Sequence, residues 1–89
     1  MKLDEFVFVC DIQRIIDVLE TEDISLTMIP ISDDGVVKFI HVTCQHRKSF
    51  YTCSRRFDIE GMLCEEDYEE YFGEKVAALI HKCERHMEA

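Results

Sequence analysis

Eight acidic residues and no basic one fall between positions 58 and 74: Asp58, Glu60, Glu65, Glu66, Asp67, Glu69, Glu70 and Glu74. Carboxylates at this density have two chemistries open to them. A pair can divide general acid and base work, as in glycoside hydrolysis, or a row can recognise a cationic surface. A chain so rich in acids contains close pairs by chance, so pairing alone does not point to catalysis. The four-residue spacing of Glu66, Glu70 and Glu74 is more informative. At about 100° per residue, a helix here carries Glu66, Asp67, Glu70 and Glu74 on one side with Tyr71 beside them. Glu65 and Glu69 lie nearer the edge of its apolar arc. Like charges four apart each cost a few tenths of a kcal/mol, partly offset at a helix N-terminus, so the fold alone gains nothing from them.

Two other constellations compete for attention. His46, Arg47 and Lys48, followed by Arg55 and Arg56, form a basic patch able to contact phosphate, with Phe50 or Tyr51 available to stack on a base. Five cations against a net charge of −9 weaken that reading, and Asp58, Glu60 and the N-terminal acids are potential internal partners for the arginines. His41, Cys44, His46, Cys53, Cys64, His81, Cys83 and His86 are all zinc-ligand types, but no paired C-x-x-C or H-x-x-x-H knuckle is present. His81 and Cys83 point to sides of a helix about 200° apart. The expectation is no metal and no cofactor. There is also no phosphate-binding glycine loop, nucleophile elbow or HExxH helix, and the expectation is a protein that is not an enzyme.

The elements that must position these residues follow from periodicity. Phe8, Ile12, Ile15, Ile16 and Leu19 recur at helical spacing, and Asp4 with Leu3 and Phe8 fits a capped, stapled helix start. A short strand over Phe6–Val9, ending at Asp11, is the alternative. Ile24–Ile31 alternates as a half-buried strand, with Pro30 placing its end on a sheet edge. Ser32-Asp33-Asp34-Gly35 is a hairpin turn and Val36–Cys44 the partner strand. After the Gln45–Lys48 link, Ser49–Ser54 reads as a third strand with Phe50 and Tyr51 on opposite faces. Asp58–Leu63 is a short turn or helical segment. A last helix is expected to start near Cys64 or Glu65, with Tyr68, Phe72, Val76, Leu79, Ile80, Cys83 and Met87 as its apolar face. Gly73 lies inside it as a candidate kink.

The expected fold is α+β, in the order α-β-β-β-α: one domain over residues 1–89, a three-stranded antiparallel meander with two helices on one face. That order resembles the double-stranded RNA-binding domains. Such a domain needs cations where this last helix opens with Glu65-Glu66-Asp67, so the likeness is one of topology alone.

Composition sets the outer limits. The 89 residues are 47% hydrophobic and 33% charged, with three Gly and one Pro, a folded-domain balance rather than a disordered one. A chain of this length buries only about 60% of its unfolded surface, which leaves little room for a deep pocket. Charge is divided unevenly: −7 over residues 1–35, +5 over 36–57, −8 over 58–74 and +1 over 75–89. No apolar stretch has signal-peptide or membrane-span length, and five cysteines without a framework read as free thiols, so a cytoplasmic protein is expected.

These observations lead to a small acidic binding protein. Its acidic helix would imitate a row of phosphates and block a basic, nucleic-acid-handling protein such as a nuclease, CRISPR effector or toxin. In size, charge and layout it resembles phage-encoded inhibitors of such enzymes and the immunity proteins of basic toxins. The alternative is an adaptor that dimerises through its open sheet face or first helix, where Leu3, Val7, Cys10 and Val18 fall outside the main stripe. On that reading acidity serves solubility. Direct nucleic-acid binding through residues 46–56 ranks third, and membrane association is not expected.

Overall fold

The computed structural model describes residues 5–88, with side chains described for 8–85. The first helix, α1 (Glu5–Leu19), buries Phe8, Ile12 and Ile16 and half-buries Ile15 and Leu19. Phe6–Val9 is helical rather than a strand, because Phe8 belongs to the same helical stripe and its ring meets Tyr68 at 5.3 Å. The Asp4 cap and the Leu3 half of the staple lie outside the described residues.

Thr21 and Glu20 turn the chain into the sheet. Thr21 Oγ1 accepts from the Ile24 N–H at 3.1 Å, and Glu20 Oε1 accepts from the Leu26 N–H at 3.2 Å. Strands β1 (Ile24–Asp33), β2 (Val36–His46) and β3 (Thr52–Asp58) form one antiparallel sheet in that order. Pro30 therefore sits on an edge strand, where its missing N–H costs least. The first hairpin closes through Asp34 and Gly35, both left-handed at φ 53° and 77°, which is the pairing of a two-residue turn matched to strand twist. So tight a turn lets β1 and β2 run longer than expected, to Asp33 and His46, with one register shift between Ile31 and Ser32.

The second connection differs from expectation. Residues 49–51 are not strand. The Phe50 N–H bonds back to the His46 carbonyl at 2.8 Å, which keeps the chain turning, and β3 begins at Thr52. Arg55 and Arg56 thus lie within β3 rather than after it. Asp58 precedes the short α2 (Ile59–Leu63), and α3 runs from Tyr68 to Glu88. That start is three to four residues later than the apolar spacing implied. Gly73 does not kink α3: a Cβ there would stand 3.9 Å from Ile15 Cγ2, an ordinary contact at the α1–α3 crossing.

Both long helices cover the sheet face that carries Leu26, Ile40, Val42, Cys44 and Phe57. The α3 stripe of Phe72, Val76, Leu79, Ile80 and Cys83 is buried there, with Tyr68 half-buried at its start; the Met87 side chain lies outside the described residues. The opposite sheet face carries Ile29, Ile31, Phe39, His41 and Thr43, and no described helix lies over it. Among the described residues no polar side chain is buried, so the core is held by apolar burial alone.

Candidate functional site

The acidic segment is built by two local devices. Helix α2 ends as the Cys64 N–H bonds to the Glu60 carbonyl at 3.3 Å and the Glu65 N–H to the Met62 carbonyl at 3.0 Å. Asp67 then opens α3: its Oδ1 accepts from the Glu70 N–H at 3.1 Å and its carbonyl from the Tyr71 N–H at 3.0 Å. This is an N-cap, and it explains the late helix start, because a free carboxylate competes well for otherwise unpaired N–H groups. Glu65 and Glu66 consequently stand on the turn before the helix, not on its face.

The turn and the first helical turns enclose an open depression of about 520 Å³ lined by Glu65, Glu66, Asp67, Glu70, Tyr71 and Glu74. Five carboxylates and one phenol ring thus share a single concave surface. Glu69 is exposed but does not line it, and neither do Asp58 and Glu60 at the start of α2. The positive end of the α3 dipole favours this concentration of anions. Among the described residues the ion pairs are Arg14–Asp11 at 2.7 Å and Arg47–Glu20 at 3.6 Å, and neither reaches the depression. Tyr71 is less available than its place in an acidic run suggests. It is half-buried against the core, and the Lys75 ammonium lies 5.5 Å from its ring.

At the start of α3, the Tyr68 hydroxyl donates to Asp11 Oδ2 at 3.1 Å, and Asp11 also holds Arg14. Burial, then the bond to Asp11, pushes the Tyr68 phenol above its ordinary pKa. It is a rivet between α1 and α3, not an acid-base group for neutral pH.

The basic stretch is brought together far less. Arg47 pairs with Glu20, while His46 Nδ1 accepts from the Lys48 N–H at 3.3 Å. Neighbouring strand residues point to opposite faces, so Arg55 and Arg56 diverge. Their guanidiniums lie 5.1 Å from the Phe57 ring and 4.4 Å from the Phe39 ring respectively. Phe50, at the turn between β2 and β3, is 71% exposed with φ 62°. A bulky residue in the left-handed region is strained, and nothing in the local sequence announces it.

The metal-ligand types also scatter. His41 lies on the uncovered sheet face, across β2 from Cys44; His81, Cys10 and Cys64 are exposed; and the His86 side chain lies outside the described residues. Among the described residues no group of three or more His, Cys, Asp and Glu side chains is arranged to hold a metal. Cys44 and Cys53 face each other across two strands, and Cys83 reaches the Tyr51 carbonyl beside them at 3.7 Å, a cluster that sequence reasoning missed. Its signal was the register placing Cys44 opposite Cys53, legible only once both strand boundaries are known. Burial, then the neighbouring Cys83, pushes the Cys44 thiol up to about 12. Burial likewise raises Cys83. Both are protonated at neutral pH, so neither is the thiol poised to react first.

Among the described residues no helix is long and apolar enough to cross a membrane. Comparison with known proteins finds no matching family model, no similar curated protein and no similar solved structure.

Proposed function

We propose that this protein acts by binding, its acidic depression receiving the cationic surface of a nucleic-acid-handling protein and competing there with phosphate. The observation that carries the reading is the gathering of Glu65, Glu66, Asp67, Glu70 and Glu74 around Tyr71 in one open concavity, with no ion pair into it among the described residues. Carboxylates without a paired cation can accept from an incoming Arg or Lys, and long-range attraction speeds the encounter. The mechanism is steric and electrostatic and requires no cofactor. Asp58, Glu60 and Glu69 add to the surrounding field rather than to the contact surface.

The test is capture of partners by the tagged chain at low salt, followed by elution with a short DNA duplex and identification by mass spectrometry. The comparison variant carries Glu66→Gln, Glu70→Gln, Glu74→Gln and Asp67→Asn, because asparagine keeps the helix cap that glutamine would lose. A basic nucleic-acid-binding protein released by duplex from the parent chain and absent from the folded variant supports the proposal. A partner held equally by both chains sinks it.

The uncovered sheet face favours a second reading, an adaptor that pairs with another copy or another protein. Ile29 there is 53% exposed, and Val18 on α1 is 78% exposed. Mass in solution decides it: a dimer dissociated by Ile29→Lys assigns the face to self-association.

A further inference from the structure

The three buried or half-buried thiols lie at the end of the molecule away from the acidic depression. Cys83 comes from α3, Cys44 from β2 and Cys53 from β3. Cys44 and Cys53 face each other across β2 and β3, and the Cys83 Sγ lies 3.7 Å from the Tyr51 carbonyl, two residues before Cys53. Cys44 and Cys83 are fully buried, whereas Cys53 is half-exposed beside Tyr51. As small hydrophobes these residues could be replaced by alanine or valine; what three neighbouring thiols add is reactive chemistry.

We propose that Cys53 and Cys83 form a reversible disulfide, with Cys53 as the attacking thiol and Cys83 as the resolving one. Cys53 is the member of the cluster that an oxidant can reach. The oxidant is a low-mass disulfide, RSSR. Cys53 gives its proton to water as its sulfur attacks one sulfur of RSSR, giving a mixed disulfide and one RS⁻. That thiolate takes up the Cys83 proton; the Cys83 sulfur attacks Cys53 Sγ and expels the second RS⁻, which is protonated by water. Two protein thiols are oxidised and one RSSR is reduced to two RSH.

Strand geometry argues against the more obvious Cys44–Cys53 pair. The His46 N–H bonds to the Tyr51 carbonyl at 2.9 Å, so Cys44 and Cys53, two residues further along each strand, again form a hydrogen-bonded pair. Cβ atoms in such pairs stand about 5.5 Å apart, beyond the roughly 3.5–4.5 Å that a disulfide needs. A Cys53–Cys83 bond instead ties β3 to α3 and encloses the whole acidic segment, residues 58–74, in one covalent loop.

The experiment uses the full chain carrying Cys10→Ser and Cys64→Ser, which removes the exposed thiols from the chemistry, treated with oxidised glutathione. Peptide mapping without reductant is expected to show a Cys53–Cys83 link, loss of two hydrogens, release of two glutathiones per chain, and reversal by dithiothreitol. Adding Cys83→Ser should stop the reaction with one glutathione on Cys53. A link through Cys44, or a stable glutathione adduct on Cys53 while Cys83 is present, overturns the proposal. Alkylation of the native chain needs no variant: Cys53 should be labelled first of the three, and earlier labelling of Cys44 or Cys83 overturns the proposal equally. None of these outcomes depends on the acidic depression or its partner.

Discussion

Residues 46–56 and residues 65–74 are similar runs of like charge, and the fold treats them in opposite ways. The acidic run occupies a turn and the first turns of α3, where spacings of three and four return side chains to one side. With the turn delivering Glu65, Glu66 and Asp67 to that side, five carboxylates line one depression, and among the described residues none of them is in an ion pair. The basic run occupies a turn and a strand, where successive residues alternate between faces. Arg47 is drawn to Glu20, while Arg55 and Arg56 each settle over a different phenylalanine ring. Charge density in a sequence becomes a surface only when the element beneath it has the right period.

The two regions nevertheless share one core, and the largest predicted effect breaks both together. Phe57 of basic β3 and Phe72 of acidic α3 meet with ring centroids 4.9 Å apart, at 2% and 0% exposure. Phe72→Ala should cost about 3–5 kcal/mol, measured by urea unfolding. Far-UV and aromatic probes should follow a single transition. Separate transitions would show that the sheet and α3 are independent units.

The next effect separates the seam from the surface charges. Burial raises Cys44 from 9.0 to about 12, so the folded state holds its proton more tightly than the unfolded chain. That contribution to stability is complete below pH 9 and is lost as pH rises toward 12. Stability measured across this window should fall, and Cys44→Ala should remove a share of that slope. Equal slopes in Cys44→Ala and the parent would mean that the alkaline loss does not come from the Cys44 thiol.

How much of this was legible beforehand follows the same division. The α1 and α3 stripes, the meander and the Asp34-Gly35 turn all carry repeating or strongly typed signals, and the structure has each of them. Boundaries set by single hydrogen bonds were not legible. The start of α3 depends on one carboxylate, Asp67, capturing one N–H, and the apolar spacing runs through that point unchanged. The start of β3 depends on Phe50 adopting a left-handed conformation that its residue type disfavours. Shifting β3 by three residues is also what moved Arg55 and Arg56 onto a strand and dispersed the basic patch. The Glu66, Asp67, Glu70 and Glu74 grouping survived the later helix start because the turn delivers Glu65 and Glu66 to the same concavity.

Asp67 gives a prediction of intermediate size that sharpens the acidic side of the comparison. It has two roles there, cap and charge, and two substitutions separate them. Asp67→Ala should cost about 1 kcal/mol through loss of the bond to the Glu70 N–H, whereas Asp67→Asn keeps an acceptor and should cost only a few tenths. On binding, however, both remove the same charge. If partner capture falls equally in the two variants while stability differs, recognition reads charge; if it tracks stability, recognition reads the shape of the turn.

The smallest effect belongs to the basic side and has the opposite sign. Phe50 at φ 62° is strained, and its ring is exposed, so little burial compensates. Asparagine is tolerated in the left-handed region, and Phe50→Asn should stabilise the chain by up to about 1 kcal/mol in urea unfolding. A stabilising substitution at an exposed aromatic beside Arg47 and Lys48 would mean that the native residue is retained at a cost to the fold. Binding to a labelled single strand at low salt then gives the second half of the comparison. Weakening by Phe50→Asn would restore the basic turn as a stacking site despite its dispersed arginines. No change in binding, together with the stability gain, would leave the acidic depression as the charged surface that the fold assembles.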